Sequence, residues 1–227
     1  MCYCEMIITI VILLGVCHRG GYEHMNAKKL FLMVMVVLCT IVCAFSQQYK
    51  IGDEGPGGGI VFYYSEKGFD VYEADGSVTR CNYLEVSKTE VACTHWCRCE
   101  GLTDEFCFVN TGDSIGMGKM NTYKIIKAYH KTNTPMSVEY CAAKACAEYF
   151  TEQTVRGEWF LPSKNELYIL YKNLKERILA LASRSRHWTS SQFNRHNSGA
   201  YDLDFSNGEW REPVKGFQLS IRAIRAF

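Results

Sequence analysis

The stretch that decides the fold is SKNELYILYKNLKERILAL, residues 163–181. Ser163 and Glu166 fit a capping box, in which each side chain accepts a hydrogen bond from the other residue's backbone amide at the start of a helix. Apolar residues then recur at helical spacing: Leu167, Leu170, Tyr171, Leu174, Ile178 and Leu181. The pattern predicts an amphipathic helix that buries this stripe in a core.

Two more helices are predicted immediately upstream. Asn121 or Thr122 is a candidate N-cap for the first, whose inward face would carry Ile125, Ile126 and Tyr129. The second opens at Thr134-Pro135, because proline is favoured at the first helical position. Its helically spaced residues are Val138, Cys141, Ala142, Ala145, Cys146 and Tyr149. Both cysteines of this helix are therefore expected to face inward.

Strand signals surround the helices. The glycine run GPGGG, residues 55–59, lacks the Gly-Lys-Ser/Thr ending of a nucleotide loop, so it predicts a flexible turn into the strand at 60–64. Residues 74–77 predict a hairpin turn, and 83–86 a second strand. The segment 93–107 shows neither a helical nor a strand period of apolar residues and predicts a long, crosslinked loop.

The C-terminal part reads as β structure. Tyr201, Leu203 and Phe205 alternate with Asp202 and Asp204, which predicts a strand with a solvated acidic face; a metal or acid–base pair of carboxylates is the alternative. A tight reversal is expected at residues 207–208, and 219–227 predicts one mostly buried strand. Segregated helices and antiparallel strands predict an α+β domain with two or three helices.

The N-terminal 46 residues are predicted to be a leader. Residues 6–17 are too few to span a bilayer, which takes roughly 20 apolar residues. Lys28-Lys29, the apolar run 30–45 and the small residues around Ala44-Phe45-Ser46 follow the order of a signal peptide. Cleavage after Ser46 would leave a domain at 47–227, with Met25 as a candidate translation start. A membrane anchor or a lipoprotein signal at Cys43 are the alternatives.

Seven of the 12 cysteines would remain after cleavage: Cys81, Cys93, Cys97, Cys99, Cys107, Cys141 and Cys146. In an oxidising compartment they predict disulfides, with an odd thiol left over. A zinc site built from the residues around His95 is the alternative, although C-x₃-C-x-C is not a standard knuckle. Neither interpretation fixes which cysteines pair.

Charge is informative only locally, because the formal net charge of the 227 residues is +1. Between residues 164 and 196, Glu166 and Glu176 are opposed by seven basic residues: Lys164, Lys172, Lys175, Arg177, Arg184, Arg186 and Arg195. His187 and His196 would add charge at low pH. This stretch favours a polyanionic ligand, for which Lys172, Lys175, Arg177, Arg184 and Arg186 are the candidate binding residues. A merely solvated helix face is the alternative.

Several motifs taken in order resemble the C-terminal domain of the Legionella collagen-like protein, the Lcl C-terminal domain. They are GGIVFY (58–63), WFLPSKNEL (159–167), HWTSS (187–191), DFSNG (204–208) and RAIR (222–225), within residues 51–227. Phe160 departs from the family's usual Trp-Arg-Leu-Pro-Thr. The resemblance implies a C-type-lectin-like fold, akin to that of formylglycine-generating enzyme, and a binding role. Glu212-Pro213-Val214 lacks the third side-chain ligand of calcium-dependent lectins.

The sequence thus predicts an exported binding module, secreted, periplasmic or at the cell surface, for an acidic glycan, a matrix component or a surface protein. No catalytic motif, cofactor or metal is expected, nor nucleic acid as a partner, nor a membrane span after processing. Arg222 and Arg225 are interpreted as structural partners of carboxylates or carbonyls, with an anion site as the alternative. A structural cell-envelope protein without a dedicated small ligand is the second hypothesis.

Overall fold

The fold combines three helices with two sheets, seen in a computed structural model that describes residues 49–97, 108–129, 141–180, 184–193 and 198–227. The predicted α+β class is confirmed. None of the helices in these ranges is long and apolar enough to cross a bilayer. Outside them lie the leader, Cys99, Cys107, the predicted helix start at Thr134-Pro135, Val138, Leu181, Arg195 and His196.

The strands divide between a three-stranded and a five-stranded sheet. The first sheet has the order β1-β2-β8, formed by Ile60–Tyr72, Val78–Val86 and Ile224–Ala226. The second has the order β3-β7-β4-β5-β6, formed by Ala92–Thr94, Leu219–Ile221, Arg186–Gln192, Ala200–Asp204 and Trp210–Arg211. Neighbouring strands are antiparallel except β4 and β7, which are parallel.

The helices are α1 (Gly118–Tyr129), α2 (Ala142–Glu148) and α3 (Lys164–Leu179). The capping box predicted for α3 is confirmed: Ser163 Oγ accepts from the Glu166 amide, and Glu166 Oε2 accepts from the Ser163 amide at 2.6 Å. Leu167, Leu170 and Ile178 are buried in a cluster with β1 and β5. The apolar stripe of α3 is therefore core, as its period predicts.

Two helix starts differ from the prediction. Helix α1 begins at Gly118, because the side chains of Asn121 and Thr122 are used in tertiary contacts. The side-chain Nδ2 of Asn121 donates to Gly112 O and Ser190 Oγ, and Thr122 Oγ1 accepts from the backbone amide of Leu161. Cys141 is not helical. It has extended dihedrals (φ −146°, ψ 110°), caps α2 and pairs with Cys97.

The C-terminal segment is two short strands instead of one. Strand β7 joins the five-stranded sheet and β8 the three-stranded sheet. Between them the Arg222 side chain is fully buried, where its two Nη atoms donate to Ser87 O and Ile178 O. These contacts fix the point where the chain passes from one sheet to the other.

A buried carboxylate explains the glycine run before β1. Glu85, on β2, is fully buried, and its two oxygens accept from the backbone amides of Gly57 (3.0 Å) and Gly59 (2.9 Å). Arg225, directly opposite on β8, donates to the same carboxylate at 2.8 Å and to Glu158 at 2.7 Å. The run is thus a cradle for an internal anion as well as the turn that leads into β1.

Glycine is required in this cradle by space. A Cβ at Gly57 would lie 2.4 Å from Glu85 Oε1, and one at Gly55 would lie 2.4 Å from Oε2. At Gly59 an added Cβ would lie 2.8 Å from the Trp159 ring. Larger residues would push the carboxylate away from its backbone donors and from Arg225.

We expect Gly57→Ala to lower the free energy of unfolding by about 1–3 kcal/mol, the usual cost of overpacking a fixed site. Urea unfolding followed by tryptophan fluorescence measures it. Gly199→Ala is the matched control: Gly199 is also buried, but an added Cβ meets only ordinary contacts beyond 3.6 Å. Equal stability of the two variants would mean that the cradle tolerates a side chain and that this account of it is wrong.

Candidate functional site

One side of α3 presents alternating lysines and tyrosines, which we call the lysine–tyrosine face: Lys164, Tyr168, Tyr171, Lys172 and Lys175. The first four members follow at helical offsets of four, three and one residues, so they project within about a quarter turn of one another. The helix kinks at Leu174, and beyond the kink Lys175 Nζ lies 5.7 Å from the centre of the Tyr171 ring. Tyr168 is 42% exposed and Lys172 is exposed, whereas the other three are half-buried. The face lies beside the buried stripe of the same helix: the Tyr171 ring borders the core, with its centre 5.4 Å from that of Phe205.

Aromatic residues of the five-stranded sheet extend this face. Lys164 Nζ lies 3.7 Å from the centre of the Tyr201 ring on β5 and 5.2 Å from the Trp210 ring on β6. The Tyr168 and Trp210 ring centres are 6.3 Å apart. Sequence reasoning noted the lysines but missed these tyrosines and Trp210. Reading α3 at i, i+4 on its polar side, Lys164-Tyr168-Lys172, would have found the helical part.

The surface charge of this side is more positive than the sequence count indicates. Glu166 is fully buried and points inward, so it does not offset the lysines at the surface. Glu176 is the other acidic residue of α3, and its carboxylate lies 3.6 Å from Lys175 Nζ. Exposed ion pairs of this kind are weak in water, so Lys175 stays accessible to a ligand anion.

The five predicted ligand-binding residues are placed differently from one another. Lys172 and Lys175 share the lysine–tyrosine face with Lys164. Arg177 is exposed and donates to Gly52 O at 3.1 Å. Arg184 is exposed, with no ion-pair partner among the described residues. Arg186 is held by two hydrogen bonds to Asp202, at 3.0 and 2.5 Å, so its charge serves the fold.

The acidic residues of β5 do not form a solvated face, and that prediction is wrong. Asp202 is fully buried and paired with Arg186, while Asp204 is 6% exposed, accepts from Ser206 and lies 3.3 Å from Arg211. Their neighbours are cations and donors, which satisfy the carboxylates internally. Within the described residues, no three His, Cys, Asp or Glu side chains are grouped to hold a metal ion.

The C-terminal arginines are engaged as predicted for structural residues. Arg222 donates to backbone carbonyls, and Arg225 pairs with Glu85 and Glu158. Arg225 also lines a cleft of about 180 Å³ with Glu73, Cys81 and Lys119. Lys119 is paired with Glu73 at 2.7 Å, so both cations of this cleft already have acidic partners.

The carboxyl group of Glu166 has an unusually high pKa, but a substrate could not reach it. Burial raises its pKa to about 7, against the opposing effect of backbone amides from Ser163 and Gly116 that favour the charged form. A carboxyl that titrates near neutrality is a common feature of catalytic acids. Here a Cβ added at Gly118 would lie 2.3 Å from its Oε2, so no room is left for a substrate. Glu166 instead ties the 116–118 loop to the start of α3.

His187 is neutral in the fold and does not contribute to the basic surface, contrary to the prediction. It is fully buried on β4, its Nδ1 lies 3.0 Å from Ser185 O, and its ring packs 4.5 Å from that of Phe205. Burial lowers its pKa to about 4. Its Nε2 has no hydrogen-bond partner among the described residues, as expected for an imidazole that is not a cation.

Five of the seven candidate disulfide cysteines lie in the described residues. Cys81 borders the cleft, and Cys93 is on β3. Cys97, Cys141 and Cys146 belong to one core cluster, which also contains buried residues of α1 and α2. Cys81, Cys93, Cys141 and Cys146 are thiols in this structure. His95, the histidine of the zinc alternative, has Nδ1 2.6 Å from Gly216 O and Nε2 3.4 Å from the Gln218 amide.

The burial of His187 makes a pH-dependent prediction. The pKa of His187 in the folded chain lies below the unfolded value of about 6.5, so between these two pKa values the unfolded chain binds a proton that the folded chain does not. As pH falls from 6.5 to about 4, this difference in pKa should lower the free energy of unfolding by about 3 kcal/mol. Urea titrations of the parent and His187→Gln should show that the variant loses less stability on acidification. Phe62→Leu, a substitution at a buried residue of β1, should run parallel to the parent. A His187→Gln curve that is also parallel to the parent would refute the assignment.

No protein-family model matches this chain, and no curated protein matches it.

Proposed function

We propose that the protein is an exported binding module for an acidic glycan and that the lysine–tyrosine face, with Tyr201 and Trp210, is its ligand site. The single observation that carries the proposal is the position of Lys164 Nζ against two aromatic rings, 3.7 Å from the centre of Tyr201 and 5.2 Å from that of Trp210, beside an exposed tyrosine and two further lysines. This is a non-catalytic role, located at the cell surface, in the periplasm or outside the cell.

The chemistry of the face suits a charged sugar. The C–H face of a pyranose ring is apolar and packs on aromatic rings, which are large, rigid contact surfaces. Carboxylate or sulfate groups on the same polymer would pair with Lys164, Lys172 and Lys175. The lysines supply long-range attraction, and the rings supply short-range contacts that do not depend on salt. An uncharged glycan would use only the second of these.

The resemblance to the Lcl C-terminal domain supports a binding fold of the C-type-lectin-like class. Two of the motifs that carry the resemblance are linked through Glu85, which lies outside them: its carboxylate accepts from the Gly59 amide and from Arg225. A third lies against Gly59, since a Cβ added there would be 2.8 Å from the Trp159 ring. Residues that hold one another in this way are expected to recur together in related chains. Function itself rests on the site, because one fold can serve many ligands.

Charge reversal on this face is expected to weaken glycan binding. The Lys172→Glu, Lys175→Glu, Arg184→Glu triple variant reverses two lysines of the face and the exposed Arg184 outside it. It should bind heparin at least tenfold more weakly than the parent at low salt. The unfolding transition should barely change, because exposed substitutions usually cost about 0.5 kcal/mol or less. Tyr168→Ala should instead weaken binding by a factor that stays constant as salt rises. Isothermal titration calorimetry over a salt series measures both.

The control is a second triple variant with the same change in net charge at distant lysines: Lys67→Glu, Lys88→Glu and Lys127→Glu. It should retain most of the affinity of the parent, since only the general field of the protein changes. If both triple variants lose affinity equally, binding follows net charge and the lysine–tyrosine face is not a site. If neither loses affinity, or the parent does not bind, the proposed function fails and a structural envelope role is favoured.

A further inference from the structure

Two cysteines distant in sequence lie opposite each other in an isolated antiparallel bridge. Cys97 follows the buried Trp96, and Cys141 precedes the first residue of α2. Both are fully buried in the same core cluster. Segment 98–107 follows Cys97, and segment 130–140 precedes Cys141; both segments lie outside the described residues.

The type of bridge fits a disulfide. The Ala142 amide donates to Trp96 O at 3.1 Å, so the hydrogen bond flanks the cysteine pair instead of joining it. In such non-hydrogen-bonded pairs the Cα atoms are about 4.5 Å apart and the side chains are close together. Disulfides need Cα atoms within about 4.4–6.8 Å of each other. The backbone at this position therefore places the two Cα atoms at a separation that a disulfide can span once the two side chains rotate towards each other.

The other described cysteines are poorer partners. Cys141 is the N-cap of α2, and its carbonyl accepts from the Ala145 amide as in a helix, so Cys146 lies more than one turn further on, with its Cα about 8 to 9 Å away and beyond disulfide reach. Cys93 lies on β3, where it is in register with Ser220 of β7. Cys81 belongs to the other core cluster, with β1 and α3. Burial also raises the pKa of the Cys146 thiol well above its usual range, which makes this thiol unreactive.

We propose that Cys97 and Cys141 form the structural disulfide of this domain when it folds under oxidising conditions. The two thiols lose their protons and two electrons to a small-molecule or protein disulfide such as glutathione disulfide. One S–S bond forms in the protein, one S–S bond of the oxidant breaks, and two oxidant thiols are released. The crosslink closes a loop over residues 98–140, which includes α1. The inference is independent of the proposed ligand site.

Peptide mapping tests the pairing directly. The full chain is refolded in a glutathione redox buffer, its remaining thiols are blocked under denaturing conditions, and it is digested with trypsin without reduction. Cleavage at lysine and arginine puts Cys141 on peptide 132–144 and Cys146 on peptide 145–156, while Cys93 and Cys97 share peptide 89–98. The expected product is a reducible crosslink between 89–98 and 132–144 in most molecules.

Serine variants identify the sulfur on the shared peptide. Cys93→Ser should leave the crosslink in place, whereas Cys97→Ser should abolish it. Three outcomes would each overturn the proposal: a crosslink that survives Cys97→Ser, a crosslink of 132–144 to peptide 99–119, which carries both Cys99 and Cys107, or complete blocking of Cys141 in the refolded parent. The map of the parent alone decides the last two outcomes, so the test does not depend on the folding of any variant.

Discussion

The carboxylate of Glu85 has to be buried without remaining unpaired, and much of the three-stranded sheet follows from how this is done. An unpaired buried charge would cost several kcal/mol, so the chain surrounds it with two backbone amides and one guanidinium. The amides come from the glycine run before β1, and the guanidinium comes from β8 at the C-terminal end of the chain. One side chain thereby joins three parts of the sequence that are otherwise far apart.

The same device recurs at Glu166. Its carboxylate is fully buried and accepts from the amides of Ser163 and Gly116. This contact fixes the start of α3 against the loop that leads into α1. Because the start of α3 is fixed, Lys164 is held next to Tyr201 and Trp210. Two buried carboxyl groups thus organise the scaffold, and the position of Lys164 on the lysine–tyrosine face depends on the second one.

Local signals in the sequence predicted much of the fold. The capping box, the stripe of α3, the hairpin turn at 74–77 and the strand around Leu203 all depend on neighbouring residues, and each is present, although the strand buries both of its faces. Tertiary contacts account for the errors. Cys141 fits a helical pattern but forms a backbone bridge with Cys97, Asn121 resembles a cap but bonds to Gly112, and Asp202 resembles a surface residue but lies beside Arg186.

For the site, counting charges in the sequence found Lys172 and Lys175 but not the aromatic rings. Trp210 is far from Tyr168 in the sequence and lies beside it because of the way the sheet packs against α3.

The most direct test of the account is an NMR titration of the isotopically labelled protein with a heparin-derived tetrasaccharide. The account predicts saturable amide shifts that cluster on residues 164–175 of α3 and on Tyr201 and Trp210, together with ring-proton shifts of Tyr168. Amides of β1 and β2 should serve as the unperturbed reference. Shifts centred on the segments between Cys93 and Gly118, or scattered over all basic residues without saturation, would contradict the lysine–tyrosine face as the ligand site.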